Sequence, residues 1–124
     1  MKLLLGTALT LLVAITPVKG APIKEQSFAL FWAKFETAVA NKNKDTIAAM
    51  TKFPFEFFGN NLTKADFMKK CDAIFSAKEQ RCFRNAKPVN DDDRDSYSVF
   101  CGQTIFGFAK GNGGYQFTGM DENG

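Results

Sequence analysis

The chain has 124 residues, 45% hydrophobic and 14% aromatic, with 16 basic side chains, 13 acidic ones and no histidine. The net charge of +3, which falls to near +1 without Lys2 and Lys19, gives no electrostatic reason to bind nucleic acid or an anionic membrane. Without histidine, a serine or cysteine nucleophile lacks its commonest base and a zinc site lacks its usual ligand set.

The opening stretch MKLLLGTALTLLVAITPVKGAPIKEQ has a basic Lys2, an apolar run from Leu3 to Ile15, then Pro17 and the pattern Val18-Lys19-Gly20. This layout predicts a secretory signal peptide over residues 1–20, cut between Gly20 and Ala21. The run is shorter than the roughly 18 residues a span requires, and the first cysteine is Cys71. Neither a membrane anchor nor a lipid acceptor near the cut is therefore expected. Loss of Lys2 and Lys19 leaves 14 basic against 13 acidic side chains, a charge near +1. Residues 21–124 suffice for one core, so a single secreted or periplasmic domain is expected.

After Pro22, Phe28, Phe31, Trp32, Phe35, Ala38 and Val39 recur at offsets 0, 3, 4, 7, 10 and 11, the apolar stripe of a helix with one buried face. Ser27 is a candidate start and Asn41 to Asn43 a candidate stop. A shorter helix is predicted in KDTIAAMTK, with Ile47 and Met50 inward, ending before Pro54. The hexapeptide FPFEFF at residues 53–58 reads as extended, with Phe53, Phe55 and Phe57 on one side and Pro54, Glu56 and Phe58 on the other. Pro54 has no amide to donate, which predicts an edge or connecting position, and the odd-numbered rings are expected to close the core beside the first helix. A third helix is predicted from Thr63 as N-cap, with Asp66 in a capping-box-like position and Phe67, Cys71, Ile74 and Phe75 facing inward.

From Arg81 onward the pattern reads as strands. SYSVFCGQTIFGFAK reads as one long strand in which Gly102 and Gly107 mark bulges or bends, and KGNGG before YQFTGM supplies a hairpin. Three cysteines leave one unpaired whichever pair forms. Cys71 lies on the apolar side of the third helix, where a thiol behaves as a small hydrophobe. The expected disulfide is Cys82 with Cys101, both in strand-like stretches.

The pieces FWAKFETAVANKNKDTIAAMTKFPF, LTKADFMKKCDAIF and SYSVFCGQTIFGFAKGNGGYQFTGM resemble the small exported members of the nuclear transport factor 2-like superfamily, a comparison spanning about residues 27 to 121. The resemblance implies an α+β cystatin-like roll: N-terminal helices packed in a curved antiparallel sheet, cone-shaped, with an open end that often forms an apolar pocket. It also implies that a homodimer through the open sheet face is to be tested for. Members include isomerases, dehydratases, transport adaptors and binding or accessory domains, so the fold does not select a function. No catalytic residue carries over by motif.

Five aromatic residues are the candidate ligand contacts: Trp32, Phe57, Phe58, Tyr97 and Tyr115. Phe57 would wall a pocket, Phe58 is the best candidate for an exposed partner contact, and the two tyrosines would sit on a rim with their hydroxyls in water. Glu56 among rings suggests a desolvated general base, against the simpler reading that it faces water. Asp91, Asp93 and Asp95 have the spacing that starts a calcium loop, but Ser96 and Gly102 stand where that loop needs glycine and glutamate, which favours a solvated turn. No metal or cofactor is expected. The function expected is an exported, non-catalytic binding or accessory domain that recognises a small apolar ligand or a protein partner. The alternatives are a proton-transfer enzyme of isomerase or dehydratase type, using a pocket carboxylate and tyrosine, and an inhibitor or immunity-type protein.

Overall fold

The computed structural model describes residues 23–92 and 94–124. The leader expected over residues 1–20, its cut before Ala21, and Asp93 lie outside the described residues.

Two helices open the fold, α1 (Ile23–Ala40), which starts ahead of Ser27, and α2 (Lys44–Ala49). Between them Lys42 takes a left-handed φ of 55°. The amides of Lys42 and Asn43 donate to the carbonyls of Val39 and Ala38 at 3.1 and 2.9 Å, the Schellman arrangement that satisfies the last carbonyls of a helix. Asn43 then caps α2, its side chain accepting from the Thr46 amide at 3.2 Å. The asparagine-rich stop therefore both ends one helix and starts the next.

Helix α3 (Lys64–Ile74) starts at Thr63, whose hydroxyl accepts from the Asp66 amide at 3.1 Å, and its expected inner face is buried. Helix α4 (Ala77–Asn85) corrects the strand reading from Arg81 onward. Its sequence signal is Ser76-Ala77-Lys78-Glu79, the residue pattern of a capping box, although here the Ser76 hydroxyl donates to the Glu79 carboxylate and neither side chain caps a backbone amide. Only Phe83 is fully buried on this helix, so it shows no long apolar stripe. Cys82 consequently sits on a helix. It still pairs with Cys101 as expected, across a Cα–Cα distance of 5.9 Å, and fastens α4 to the sheet.

The strands are β1 (Thr51–Phe57), β2 (Asn60–Leu62), β3 (Val89–Asn90), β4 (Ser96–Cys101), β5 (Thr104–Gly111) and β6 (Gly114–Glu122). They form one curved sheet in the order β2-β1-β6-β5-β4-β3. The sheet is mixed rather than antiparallel, because β1 runs parallel to β6. The expected long strand is two strands: Gly102, at φ 62°, opens the two-residue turn that joins Cys101 to Thr104. Gly107 does mark a register irregularity between β5 and β6, the kind of bulge that bends a sheet.

Phe53 to Phe57 are extended as expected, whereas Phe58 turns out of the strand at φ 49°, and β1 is an interior strand between β2 and β6. Its pairing with β6 jumps from Thr51–Phe117 to Glu56–Gly119, and its pairing with β2 begins at Phe55. Pro54 therefore falls where neither neighbour requires its missing amide, which is how an interior strand tolerates it. Its rings pack against α3 more than α1: Phe53 and Phe55 lie 5.4 and 5.1 Å from Phe67, centroid to centroid.

The helices pack on one face of the sheet. Phe35 of α1 meets Phe108 and Phe117 at 5.2 and 5.3 Å, and Phe83 of α4 meets Phe106 at 4.9 Å. These rings are fully buried, and burial of each contributes about 1.5–3 kcal/mol. The interior is thus filled by the chain's own phenylalanines.

Candidate functional site

An open apolar concavity lies outside that core. The side of α1 turned away from α4, the length of α2 and the start of β6 enclose a groove of about 950 Å³. Its apolar wall is formed by Leu30, Phe31, Ala38, Met50 and Tyr115. The amide of Phe117 donates to the Met50 carbonyl at 2.8 Å, which sets Met50 beside Tyr115 and completes one wall. Leu30 is 62% exposed; it stands off the core-facing stripe of α1 and gives the groove a large aliphatic surface left open by the described residues. A volume of this size matches a small-molecule cleft.

Much of the groove's polar lining is already engaged within the fold. The Thr37 hydroxyl donates to the Ala33 carbonyl at 2.8 Å and Asn43 caps α2. Ser27, Lys34, Asn41, Thr46 and Gln116 remain, and Lys34 is the one charged residue among the described lining.

The five expected contacts separate in space. Tyr115 lines the groove. Tyr97 and Tyr115 are buried, with ring centroids 5.8 Å apart, rather than sitting on a wet rim. Phe28 lies between them, stacked on Tyr97 at 3.8 Å and edge-on to Tyr115 at 5.1 Å. Burial foremost, then the phenol of Tyr97 and the carboxylate of Asp95, push the Tyr115 hydroxyl up to about 12. It therefore stays protonated and is a hydrogen-bond donor or weak acid rather than a base. Trp32 packs among Phe28, Phe83 and Phe108, as a structural residue would.

Phe57 and Phe58 lie toward the other end of β6, where Phe57 pairs with Met120 and the Phe58 amide donates to the Met120 carbonyl at 3.0 Å. Phe58 and Gly59 form a two-residue hairpin turn with φ of 49° and 85°, the type I′ pattern usually filled by Asn-Gly. The Lys70 ammonium lies 5.4 Å from the Phe57 ring centroid.

Glu56 is exposed on the sheet face opposite Phe55, so it meets neither tyrosine. In the aspartate-rich turn, both carboxylate oxygens of Asp91 accept from the Ser98 hydroxyl, at 3.0 and 3.3 Å, and the Asp95 carbonyl accepts from the Lys110 amide at 2.8 Å. These bonds tie the turn to β4 and β5. Among the described residues no three acidic or cysteine side chains converge on a metal position. A second hollow of about 410 Å³ borders Cys71 and the Lys44–Asp72 ion pair at 3.0 Å. Burial pushes the Cys71 thiol up, away from the reactive thiolate.

No family model and no curated protein matches the chain. Among solved structures, the crystal structure of a de novo designed protein with a curved β-sheet is similar, at 13% identity over 81% of this chain and 99% of that one, with a TM-score of 0.49.

The residues that sequence reasoning missed are Leu30, Lys34 and Met50. A signal for Leu30 was present: a leucine two positions from Phe28 breaks the polar side of an otherwise amphipathic helix.

Proposed function

We propose that this protein is an exported, non-catalytic binding domain of the nuclear transport factor 2-like class, and that its ligand is a small apolar molecule held in the groove between α1, α2 and β6. The observation that carries the reading is an open cleft of about 950 Å³ walled by Leu30, Phe31, Met50 and Tyr115, beside a core already filled by its own rings. The Cys82–Cys101 disulfide supports an oxidising compartment. Among the described residues no helix is long and apolar enough to cross a membrane. Helices packed on one face of a curved sheet support the class assignment.

The proton-transfer alternative needs a carboxylate and a phenol facing one cavity. No carboxylate lines the groove among its described residues, and Glu56 lies across the sheet. Fluorescence of an apolar dye titrated into the purified protein tests the binding reading. The wild type is expected to enhance emission and Leu30→Asp to lose most of the enhancement; equal enhancement by both removes the groove as the site.

One observation favours a protein partner as a second reading, of inhibitor or accessory type: Phe58 is 37% exposed at a hairpin tip, in a backbone conformation unfavourable for its side chain. A homodimer through the outer sheet face, which carries the exposed Phe100, is tested by sedimentation equilibrium of wild type and Phe100→Glu; a monomer for both rules it out.

A further inference from the structure

The groove follows α1 from Ser27 to Asn41, about 21 Å at 1.5 Å per residue. Lys34 lies halfway along this wall, one turn from Leu30 and Phe31 on one side and from Thr37 and Ala38 on the other. It is exposed, and the ion pair of the described residues is Lys44–Asp72, so the Lys34 ammonium has no carboxylate partner among them. No acidic residue appears in the described lining. The apolar wall is largest toward Leu30, Phe31, Met50 and Tyr115, while the far end is polar, with Asn41, Asn43 and Thr46. The site therefore combines one unopposed cation at mid-length with an apolar trough of about 10 Å on one side.

We infer that the groove takes a single-chain anionic amphiphile, its carboxylate or phosphate head at the Lys34 ammonium and its acyl chain laid along Leu30, Phe31, Met50 and Tyr115. The inference rests on the groove being the ligand site and adds the chemical class of the ligand. Charge complementarity selects the anionic head, since a cationic one would meet like charge and no carboxylate in the described lining. The exposed Leu30 surface selects the chain, because covering it removes apolar area from water. An acyl carboxylate and a phosphate-headed lipid share this chemistry and are separated by experiment.

Calorimetric titration of the purified protein with decanoate, methyl decanoate and decyl phosphate, each below its micelle concentration, tests this. Decanoate is expected to bind about two- to fivefold more tightly than its methyl ester, the worth of one exposed ion pair. Lys34→Gln is expected to abolish that preference and leave ester binding unchanged. Lengthening the acid from hexanoate is expected to tighten binding by up to about fourfold per methylene until the chain outruns the trough. A decyl phosphate preference that Lys34→Gln also removes supports the anionic head and assigns it to a phosphate source. Equal binding of acid and ester by the wild type, or an acid preference retained in Lys34→Gln, overturns the amphiphile inference while leaving the apolar groove standing. No binding of any of the three, or binding unaffected by Leu30→Asp, overturns both.

Discussion

Leu30 and Phe58 are both large apolar side chains left in water, yet their surroundings differ. Leu30 stands in the wall of a concavity, among Phe31, Met50 and Tyr115, on a helix whose backbone is unstrained at that point. Phe58 stands at a convex hairpin tip, with its ring 4.8 Å from Phe57 and its backbone in the left-handed region. A concave wall offers a small molecule contact on several sides at once, whereas a convex tip can only enter a pocket that another protein supplies. Exposure alone therefore does not define a site; the curvature around the exposed atoms decides what can cover them.

The largest expected contrast lies between what each exposed residue covers and what lies behind it. Phe55, fully buried behind the hairpin between Phe67 and Phe117, is expected to cost about 3–5 kcal/mol on substitution by alanine. Leu30→Ala is expected to change stability by no more than about 0.5 kcal/mol. Urea denaturation of both variants measures this, and a Leu30→Ala loss above about 1 kcal/mol would make that residue structural and weaken the groove reading.

Next in size is Gly119, where a Cβ would come within 2.8 Å of the Glu56 carbonyl oxygen. Gly119→Ala is expected to cost about 1–3 kcal/mol, because two paired backbones must move apart. A loss confined to β1 and β2 in amide exchange, with the α1–α2 amides unchanged, would show that the two regions are energetically separate.

Phe58→Asn is expected to act in the opposite direction, raising stability by about 1 kcal/mol by restoring the residue that a type I′ turn favours. If the melting temperature falls instead, the Phe58–Phe57 ring contact outweighs the backbone term, and the tip is a structural feature rather than one kept for a partner.

On the groove side, Tyr115 makes stability depend on alkaline pH. Its phenol is pushed up to about 12 in the folded protein from an ordinary value near 10, so the unfolded chain releases its proton first. Stability is fully present below pH 10 and declines as pH rises toward 12. Melting curves of Tyr115→Phe should lack this part of the decline; an identical pH profile would place the phenol in water.

The smallest effect is expected at Lys42, which sits at a left-handed helix-ending position with φ 55°. Lys42→Gly should stabilise by about 0.5–1 kcal/mol, and because Lys42 borders the second hollow rather than the groove, decanoate affinity should stay within about twofold.

Local chemistry was legible because it is encoded within a few residues. The stripe from Phe28 to Val39, the Thr63 cap, the Asn41–Asn43 stop and the KGNGG hairpin each satisfy their own backbone groups or show a clear period. The pairing of Cys82 with Cys101 was legible as well, although the element carrying Cys82 was not. Helix α4 escaped because one buried phenylalanine makes no period, and the Ser-x-x-Glu pattern at Ser76–Glu79 was the signal to weigh.

The sequence by itself determined helices α1 to α3, the β5–β6 hairpin and the inward face of α1 and α3, since propensity, capping and periodicity act over one or two turns. Only the tertiary structure decided that β1 runs parallel to β6, that Pro54 lies inside the sheet, and that Tyr115 and Phe58 point to different ends of the molecule. Those outcomes follow from long-range pairing and from packing at near-crystalline density, where the place of a side chain is set by neighbours far away in the chain. The groove belongs to the same category: Leu30, Lys34, Met50 and Tyr115 face one space because α1, α2 and β6 meet there, and no local pattern records that meeting.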